Sequence, residues 1–214
     1  MAQRVGVLGS GNVALTLSSG FKKHGYEVKI GSRDPGKLAE FGSKSGIPTG
    51  DFGQTAAFGE IVVLAVKGHA AIDVLKAAGA ANLKGKVVID VTNPIANEPP
   101  QHGVIRYFTA ANDSLMERLQ AAFPDARFVK AFNSIGAAFM VNPEFPGGPP
   151  TMFIAGNDAA AKETVTGILT KFGWATEDMG FVESARPIEA LCQLWCAPGM
   201  LRGQWSDAFK LLKR

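Results

Sequence analysis

Apolar positions along the chain fall into two alternating rhythms. Val5, Val7 and Leu8 form a short run that reads as a buried strand, and from Asn12 onward Val13, Leu17 and Phe21 return at helical spacing. Gly25 and Tyr26 turn the chain into a second strand over 27–31, closing a β-α-β unit. A helix over 35–45 and a weak third strand over 47–49 come next. Residues 60–66 read as a strand that is apolar without alternation after Glu60, as in a central parallel strand covered on both faces. A fifth strand is expected over 86–91, a helix over 114–123 and a sixth strand over 126–131. Residues 95–108, with Pro99 and Pro100, and residues 142–150 carry too many breakers for either rhythm and read as loops. Beyond them the pattern predicts a strand over 151–155, a helix over 159–172, a strand over 174–178 and a helix opening at Ser184. That last helix carries Ile188, Leu191, Leu194 and Trp195 on one side, and is expected to break at Ala197-Pro198-Gly199 and resume to Lys213.

Where the first strand meets the first helix the chain reads Gly9-Ser10-Gly11-Asn12-Val13-Ala14, the spacing G-x-G-x-x-A. The string alone is a weak signal, and its place between strand and helix gives it weight. Gly9 suits a sharp turn, Gly11 the close approach of a pyrophosphate, and Ala14 close packing of helix on sheet. Phosphates would then lie on the free amides of Ser10 to Val13 and at the positive end of the helix. A tight turn that binds nothing is the competing reading. Strands alternating with helices around such a turn specify an α/β chain: a Rossmann-type, doubly wound, mostly parallel sheet with a small C-terminal α/β extension. The expected division is a dinucleotide-binding domain over 1–131 and, packed against it, an extension over 132–214 that forms part of an acceptor pocket.

The end of the second strand bears on which dinucleotide. An acidic residue there would bond the ribose 2′-hydroxyl of NAD, whereas this chain reads Gly31-Ser32-Arg33-Asp34-Pro35-Gly36-Lys37. Ser32 and Arg33 offer a hydroxyl and a guanidinium fork for a 2′-phosphate, and Lys37 adds charge one turn on, which points to NADP(H). Asp34 before Pro35 fits a helix N-cap.

Three further stretches should reach the same sheet edge. Val66-Lys67-Gly68-His69 follows the fourth strand, where His69 either touches the adenine side or caps the next helix or faces solvent. Thr92-Asn93-Pro94 ends the fifth strand and would face the nicotinamide half, ahead of a loop over 95–108 that reads as a lid or pocket wall. Lys130-Ala131-Phe132-Asn133 ends the sixth. Asn93, Lys130 and Asn133 are candidates to orient an electron acceptor or the nicotinamide carboxamide, although Lys130 and Asn133 could equally satisfy loop carbonyls.

Composition narrows the classes. Apolar residues make up 46% of 214 and charged residues 19%, as in ordinary globular proteins, and a net charge of +3 with scattered signs gives no case for nucleic acid. Lys210, Lys213 and Arg214 read as a solvated helix end. The early core strand leaves no room for a signal peptide and no apolar run suits a membrane span, so the expected location is cytoplasmic. Cys192 and Cys196 read as buried thiols, and no cluster of metal ligands stands out. The apolar final helices with Trp195 and Trp205 suit either a homodimer or a buried core.

Taken together, Gly9 to Ala14, G-S-R at Gly31 to Arg33, T-N-P at Thr92 to Pro94, V-K-A-F-N at Val129 to Asn133, the D-x-G-x-x-x-S-A-R-x-x-E string from Asp178 to Glu189 and the pair Leu194-Trp195 resemble the family of NADPH:coenzyme F420 oxidoreductases. The amino-terminal cytosolic domain of the six-transmembrane epithelial antigen metalloreductases looks like the same family. The resemblance covers nearly the whole chain. It implies an NADP-dependent oxidoreductase that passes a hydride to a flavin-like acceptor, with Ser10, Ser32, Arg33 and Lys37 on the phosphates and the pocket built from the loops after the fifth and sixth strands and the final helix. Such transfer needs no side-chain acid or base at the hydride. The K-A-F-N and Leu-Trp features lean toward the metalloreductase-like branch, so the acceptor stays open between coenzyme F420 and FMN or FAD. An imine or pyrroline-carboxylate reductase would continue into a longer helical bundle. A module that binds NADPH without turning it over is the non-enzymatic alternative.

Overall fold

The structure, a computed structural model, describes residues 2–214. The chain runs β1 (Arg4–Leu8), α1 (Asn12–Lys23), β2 (Glu27–Gly31), α2 (Ala39–Ser45), β3 (Thr49–Gly50), α3 (Phe52–Phe58) and β4 (Ile61–Leu64). It continues through α4 (Ala71–Ala78), α5 (Ala80–Leu83), β5 (Val87–Asp90), α6 (Leu115–Ala122) and β6 (Arg127–Lys130). These six strands pair in parallel in the order β3-β2-β1-β4-β5-β6. The chain thus starts at the centre, winds to one edge and crosses back, so the loops after β1 and β4 part from each other at the carboxyl edge. Every residue of β4 is buried, which is why its sequence runs apolar without alternation. Val5, Val7 and Ile30 pack with Leu17 and Phe21 of α1 on one face, and Leu8, Val62 and Val88 pack with α4 and α6 on the other.

The extension comprises β7 (Thr151–Ile154), α7 (Ala159–Lys171), β8 (Ala175–Asp178) and α8 (Ala185–Arg202), with β7 and β8 forming a parallel pair. Lys130 N donates to Ala155 O at 3.0 Å, joining the pair to the main sheet. Val165 and Leu169 of α7 enter the same core cluster as Val129 and Phe132.

Several boundaries differ from the sequence reading. The predicted helix over 35–45 opens as a 3-10 turn, Pro35–Leu38, with the Asp34 carboxylate accepting from Gly36 N at 3.1 Å as expected of a cap. The third strand lies at 49–50 rather than 47–49. Helix α3 is too short to show a period, though its capping box is present: Asp51 accepts from Gln54 N at 2.7 Å, and Gln54 accepts from Asp51 N at 3.3 Å. Helix α8 does not break at Pro198. The missing N–H leaves open only the Leu194 carbonyl, and Leu194 is exposed, so α8 continues to Arg202 and ends at Gly203 with φ +70°.

Residues 203–214 are not helical. They fold back against α8 and β7, with Trp205 over Gly199 and Trp195 Nε1 donating to Asp207 O at 2.7 Å. Thr151 N donates to Phe209 O at 2.8 Å. Lys210 bonds the Gly147 carbonyl and Lys213 pairs with Glu177 at 2.6 Å, so the basic end is exposed as expected but belongs to no helix.

Candidate active site

The turn after β1 is shaped by two glycines that do different things. Gly9 holds φ +142°, and a Cβ there would stand 2.2 Å from Ala65 O, so only glycine fits between β1 and the β4 loop. Its N–H donates to Gly31 O at 2.8 Å. Gly11 is the N-cap of α1, with φ −86° and no side-chain bond to the first turn, and a Cβ there would meet nothing within 4 Å. The helix's backbone bonding begins with Leu15 N to Gly11 O, leaving the amides of Asn12, Val13 and Ala14 without a side-chain cap. Ser10, Gly11 and Asn12 are exposed and Val13 half-buried, while Ala14 is fully buried. An uncapped helix end beside an empty ledge fits a diphosphate.

At the end of β2 the hydroxyl of Ser32 is buried and committed to its own turn. It donates to Asp34 O at 2.5 Å and accepts from Asp34 N at 3.1 Å. A place for Ser32 on a phosphate is therefore not what this conformation offers. Arg33 and Lys37 are exposed and make no ion pair among the described residues. The two cations remain free at the spot the sequence assigns to a 2′-phosphate.

After β4, Val66 is half-buried and Lys67 exposed. Gly68 presses against Asn93, where a Cβ would come 2.1 Å from the Asn93 carbonyl oxygen. This packs the loop after β4 onto the loop after β5. His69 stands within a single 3-10 turn, Gly68–Ala70, and is exposed.

At the ends of β5 and β6 lies a network of buried ions. Lys130 Nζ donates to Thr92 O at 2.9 Å and sits 2.7 Å from Asp90 Oδ2 and 2.8 Å from Glu189 Oε1. All three charged side chains are 0–2% exposed. Burial works against the lysine's charge, but the two carboxylates outweigh it and hold the ammonium above the ordinary lysine range. Asp90 Oδ1 accepts from both Thr92 N (2.9 Å) and Thr92 Oγ1 (2.6 Å), while Glu189 accepts from Leu115 N and Met116 N at 3.0 and 3.1 Å. Lys130 therefore does not reach an acceptor. It is enclosed, with its hydrogen bond going to the Thr92 carbonyl and its charge paired with two buried carboxylates.

Asn133 and Asn93 are brought together. Asn93 Nδ2 donates to Asn133 O at 2.8 Å, and Asn133 Nδ2 donates to Asn93 Oδ1 at 3.2 Å and Ile188 O at 2.8 Å. Between Lys130 and Asn133 the buried Phe132 holds φ +62°, a left-handed conformation costly for a bulky residue, which turns Asn133 toward Asn93. Asn133 Oδ1 is buried without a hydrogen-bond partner. Thr92 and Pro94 are buried and Asn93 is half-buried.

A cleft of about 850 Å³ opens between residues 96–113 and α8, lined by Arg106, Tyr107, Asp113, Arg186, Glu189 and Gln193 among others. Its outer wall is less irregular than the prolines suggested. Ile95 and Tyr107 bridge antiparallel, and Ala96 N donates to Arg106 O at 2.8 Å, so 95–107 folds as a hairpin-like arm. Tyr107 Oη donates to Glu189 O at 2.6 Å and Gln193 Nε2 to Ile105 O at 2.9 Å, fastening the arm to α8. The loop after β6 does not line this cleft. Arg186 makes a two-point contact with Glu117 at 2.6 and 2.9 Å, and with Ser114 the arginine's bonds hold that carboxyl below its ordinary range. Cys192 and Cys196 are free, buried thiols beneath Tyr107 and Trp195, 3.9 Å apart.

Asp90 and Glu189 are site residues that sequence reasoning missed. Their signal was a carboxylate standing inside an apolar run, Val87 to Val91 and Ile188 to Leu191, with Lys130 in a third such run.

No helix among the described residues is long and apolar enough to cross a membrane. Residues 4–94 match the family model described as NADP oxidoreductase, coenzyme F420-dependent. A protein of Arthrobacter sp. FB24, whose crystal structure carries the description F420-dependent NADP-reductase, is 34% identical, with all of both chains covered and a TM-score of 0.92. Metalloreductase STEAP3 of Rattus norvegicus is 32% identical over 206 residues, which is 94% of this chain and 39% of that protein. The chain thus spans about two fifths of the length of the curated relatives it matches. A Sinorhizobium meliloti protein, 22% identical with a TM-score of 0.74, shares the fold. The chain belongs to the family of NADP-dependent oxidoreductases described as coenzyme F420-dependent.

Proposed function

We propose that the protein passes a hydride between NADP(H) and a flavin-like acceptor, either coenzyme F420 or a flavin. The observation that carries this reading is the course of open surface along the carboxyl edge. It runs from the exposed Arg33 and Lys37, past the uncapped start of α1, to the half-buried Asn93, behind which Asn133 lies buried, next to the cleft against α8. When bound, NADP(H) supplies the hydride chemistry itself. The residues of this chain would bind, orient and exclude water. Arg33 and Lys37 hold the 2′-phosphate; Gly9, Ser10, Gly11, Asn12 and Val13 supply the turn and amides for the diphosphate. Val66, Lys67 and His69 border the groove, and Thr92, Asn93 and Pro94 form the floor on the nicotinamide side. The half-buried Asn93 would face the carboxamide, and Asn133, buried behind it, orients it by exchanging two hydrogen bonds with it. In this reading residues 1–131 hold the nucleotide and 132–214 wall the acceptor pocket through α8.

The acceptor is tested by following NADPH oxidation with coenzyme F420, FMN, FAD and a ferric chelate in parallel. Turnover with F420 or a flavin supports the reading, and tight NADPH binding without turnover on any of them overturns it. A flavin-mediated ferric reduction is the second reading, favoured by the 32% identity to Metalloreductase STEAP3. Turnover of the chelate only when a flavin is added would select it. A cytoplasmic setting, in which buried free thiols such as Cys192 and Cys196 stay reduced, belongs to this reading. The exposed Leu194, Leu201 and Trp205 support a homodimer, which sedimentation would test.

A further inference from the structure

We infer that Glu189, through the buried Lys130 and Asp90, is a positioning residue that sets the nicotinamide-side loop Thr92–Asn93 and ties it to the α8 wall of the acceptor cleft. This rests on the proposed NADP(H) reading of that loop. Four parts of the chain converge on one turn of α8. The Glu189 carboxylate meets Lys130 of β6 and the two leading amides of α6. The Glu189 carbonyl takes the Tyr107 hydroxyl of the arm at 2.6 Å. The Ile188 carbonyl takes the Asn133 amide at 2.8 Å.

Lys130 passes this placement on, because its directed hydrogen bond goes to the Thr92 carbonyl, while Asp90 grips the same residue by its N–H and hydroxyl. Thr92 is thus held at three atoms by two buried charges. A fold that needed only stability could fill this space with apolar side chains at little loss, since buried ion groups are poor contributors to net stability. What the ions add is direction: each carboxylate and the ammonium accept one geometry of their partners, and the peptide between Thr92 and Asn93 inherits it. Gly68 packs on the next peptide, Asn93–Pro94, where a Cβ would stand 2.1 Å from the Asn93 carbonyl oxygen.

The test uses the full chain and two ligands, NADP⁺ and 2′-phospho-ADP-ribose, which is the same nucleotide without its nicotinamide. Their affinities are measured by calorimetry for wild type, for Glu189→Gln, and for the triple variant Asp90→Asn/Lys130→Met/Glu189→Gln. The triple variant removes all three charges together and leaves amide oxygens for Thr92 and for α6. The inference expects the triple variant to bind 2′-phospho-ADP-ribose within about twofold of wild type while NADP⁺ weakens about tenfold, toward the truncated ligand. Glu189→Gln, which leaves Lys130 and Asp90 facing each other, should show the same change in smaller measure. Equal weakening of both ligands would mean that the network only supports the fold. Unchanged affinity for both, or a wild type that binds the two equally well, would overturn the inference while leaving the nucleotide site standing. A wild type that binds neither ligand would overturn the NADP(H) reading and the inference with it.

Discussion

Gly9 and Gly11 stand two residues apart in the same turn, and the structure assigns them opposite failures when each is given a methyl group. At Gly9 the new Cβ meets the Ala65 carbonyl oxygen at 2.2 Å, and the backbone holds φ +142°, a region essentially closed to alanine. Strained backbone costs about 1–3 kcal/mol, and forcing extra volume into a packed site costs a further ~1–3 kcal/mol. Gly9→Ala should therefore lose about 2–6 kcal/mol, which for a chain of this size lowers the melting temperature by roughly 5–20 °C. At Gly11 the Cβ meets nothing within 4 Å and φ is −86°, which alanine adopts freely. The only loss to folding is a poorer N-cap, at most about 1 kcal/mol. The methyl would nevertheless project onto the ledge where the diphosphate approaches the α1 amides. Gly11→Ala should melt within about 4 °C of wild type and bind NADPH at least ~10-fold more weakly. Thermal melts and calorimetric titration with NADPH distinguish the two. A Gly11→Ala protein that binds NADPH as wild type does would refute the placement of the diphosphate on this turn, and an undisturbed Gly9→Ala would refute the packing argument.

Other expectations concern single contacts. Arg33→Ala should weaken NADPH by about 2 kcal/mol, roughly 30-fold, and spare NADH, because a charge-assisted contact to the 2′-phosphate is what is removed; competitive binding of the two nucleotides checks it, and equal losses would count against the assignment. Gly68→Ala, with its Cβ 2.1 Å from the Asn93 carbonyl oxygen, should push the loops after β4 and β5 apart and lower both the melting temperature and NADPH affinity. The Glu117–Arg186 pair fastens α6 to α8, and its arginine bond depresses the Glu117 carboxyl. A depressed carboxyl contributes stability that is fully present above its unfolded value and lost as the pH falls through its folded value. Glu117→Gln should therefore melt about 2–4 °C below wild type at neutral pH, for a loss of ~1 kcal/mol, and the gap should begin to narrow once the pH falls below the ordinary glutamate value of about 4.3 and vanish below the depressed one. Melting curves across that range would show a constant gap if the pair contributes nothing electrostatic.

How much of this was legible in the sequence follows from how local each signal is. The glycine turn, the unalternating strand 61–64 and the Asp34 cap are set within a few residues, and each stands where its pattern placed it. Arg33 and Lys37 were placed by their distance from a strand end. Lys130 stays open in the sequence between an acceptor and a loop carbonyl, and the carbonyl of Thr92 is what it meets; its two carboxylates are not legible, because Asp90 lies 40 positions before it and Glu189 59 positions after, and no spacing rule joins them. The path of α8 through Pro198 depends on whether the carbonyl left free points to solvent, which propensity does not encode. The sequence carries the last helix on to Lys213, whereas residues 203–214 are held by an edge of β7 that only the assembled sheet presents.

The account's central claim is direct hydride transfer from NADPH, held by this chain, to a flavin-like acceptor. The measurement that bears on it most directly is rapid mixing of the NADPH-loaded protein with F420 or FMN, following nicotinamide and acceptor absorbance together and repeating with deuterium at the transferred position. The account predicts that both signals change at one rate and that deuterium slows both alike. Loss of the nicotinamide signal without matching reduction of the acceptor, or acceptor reduction that is indifferent to deuterium and runs on its own time course, would contradict it.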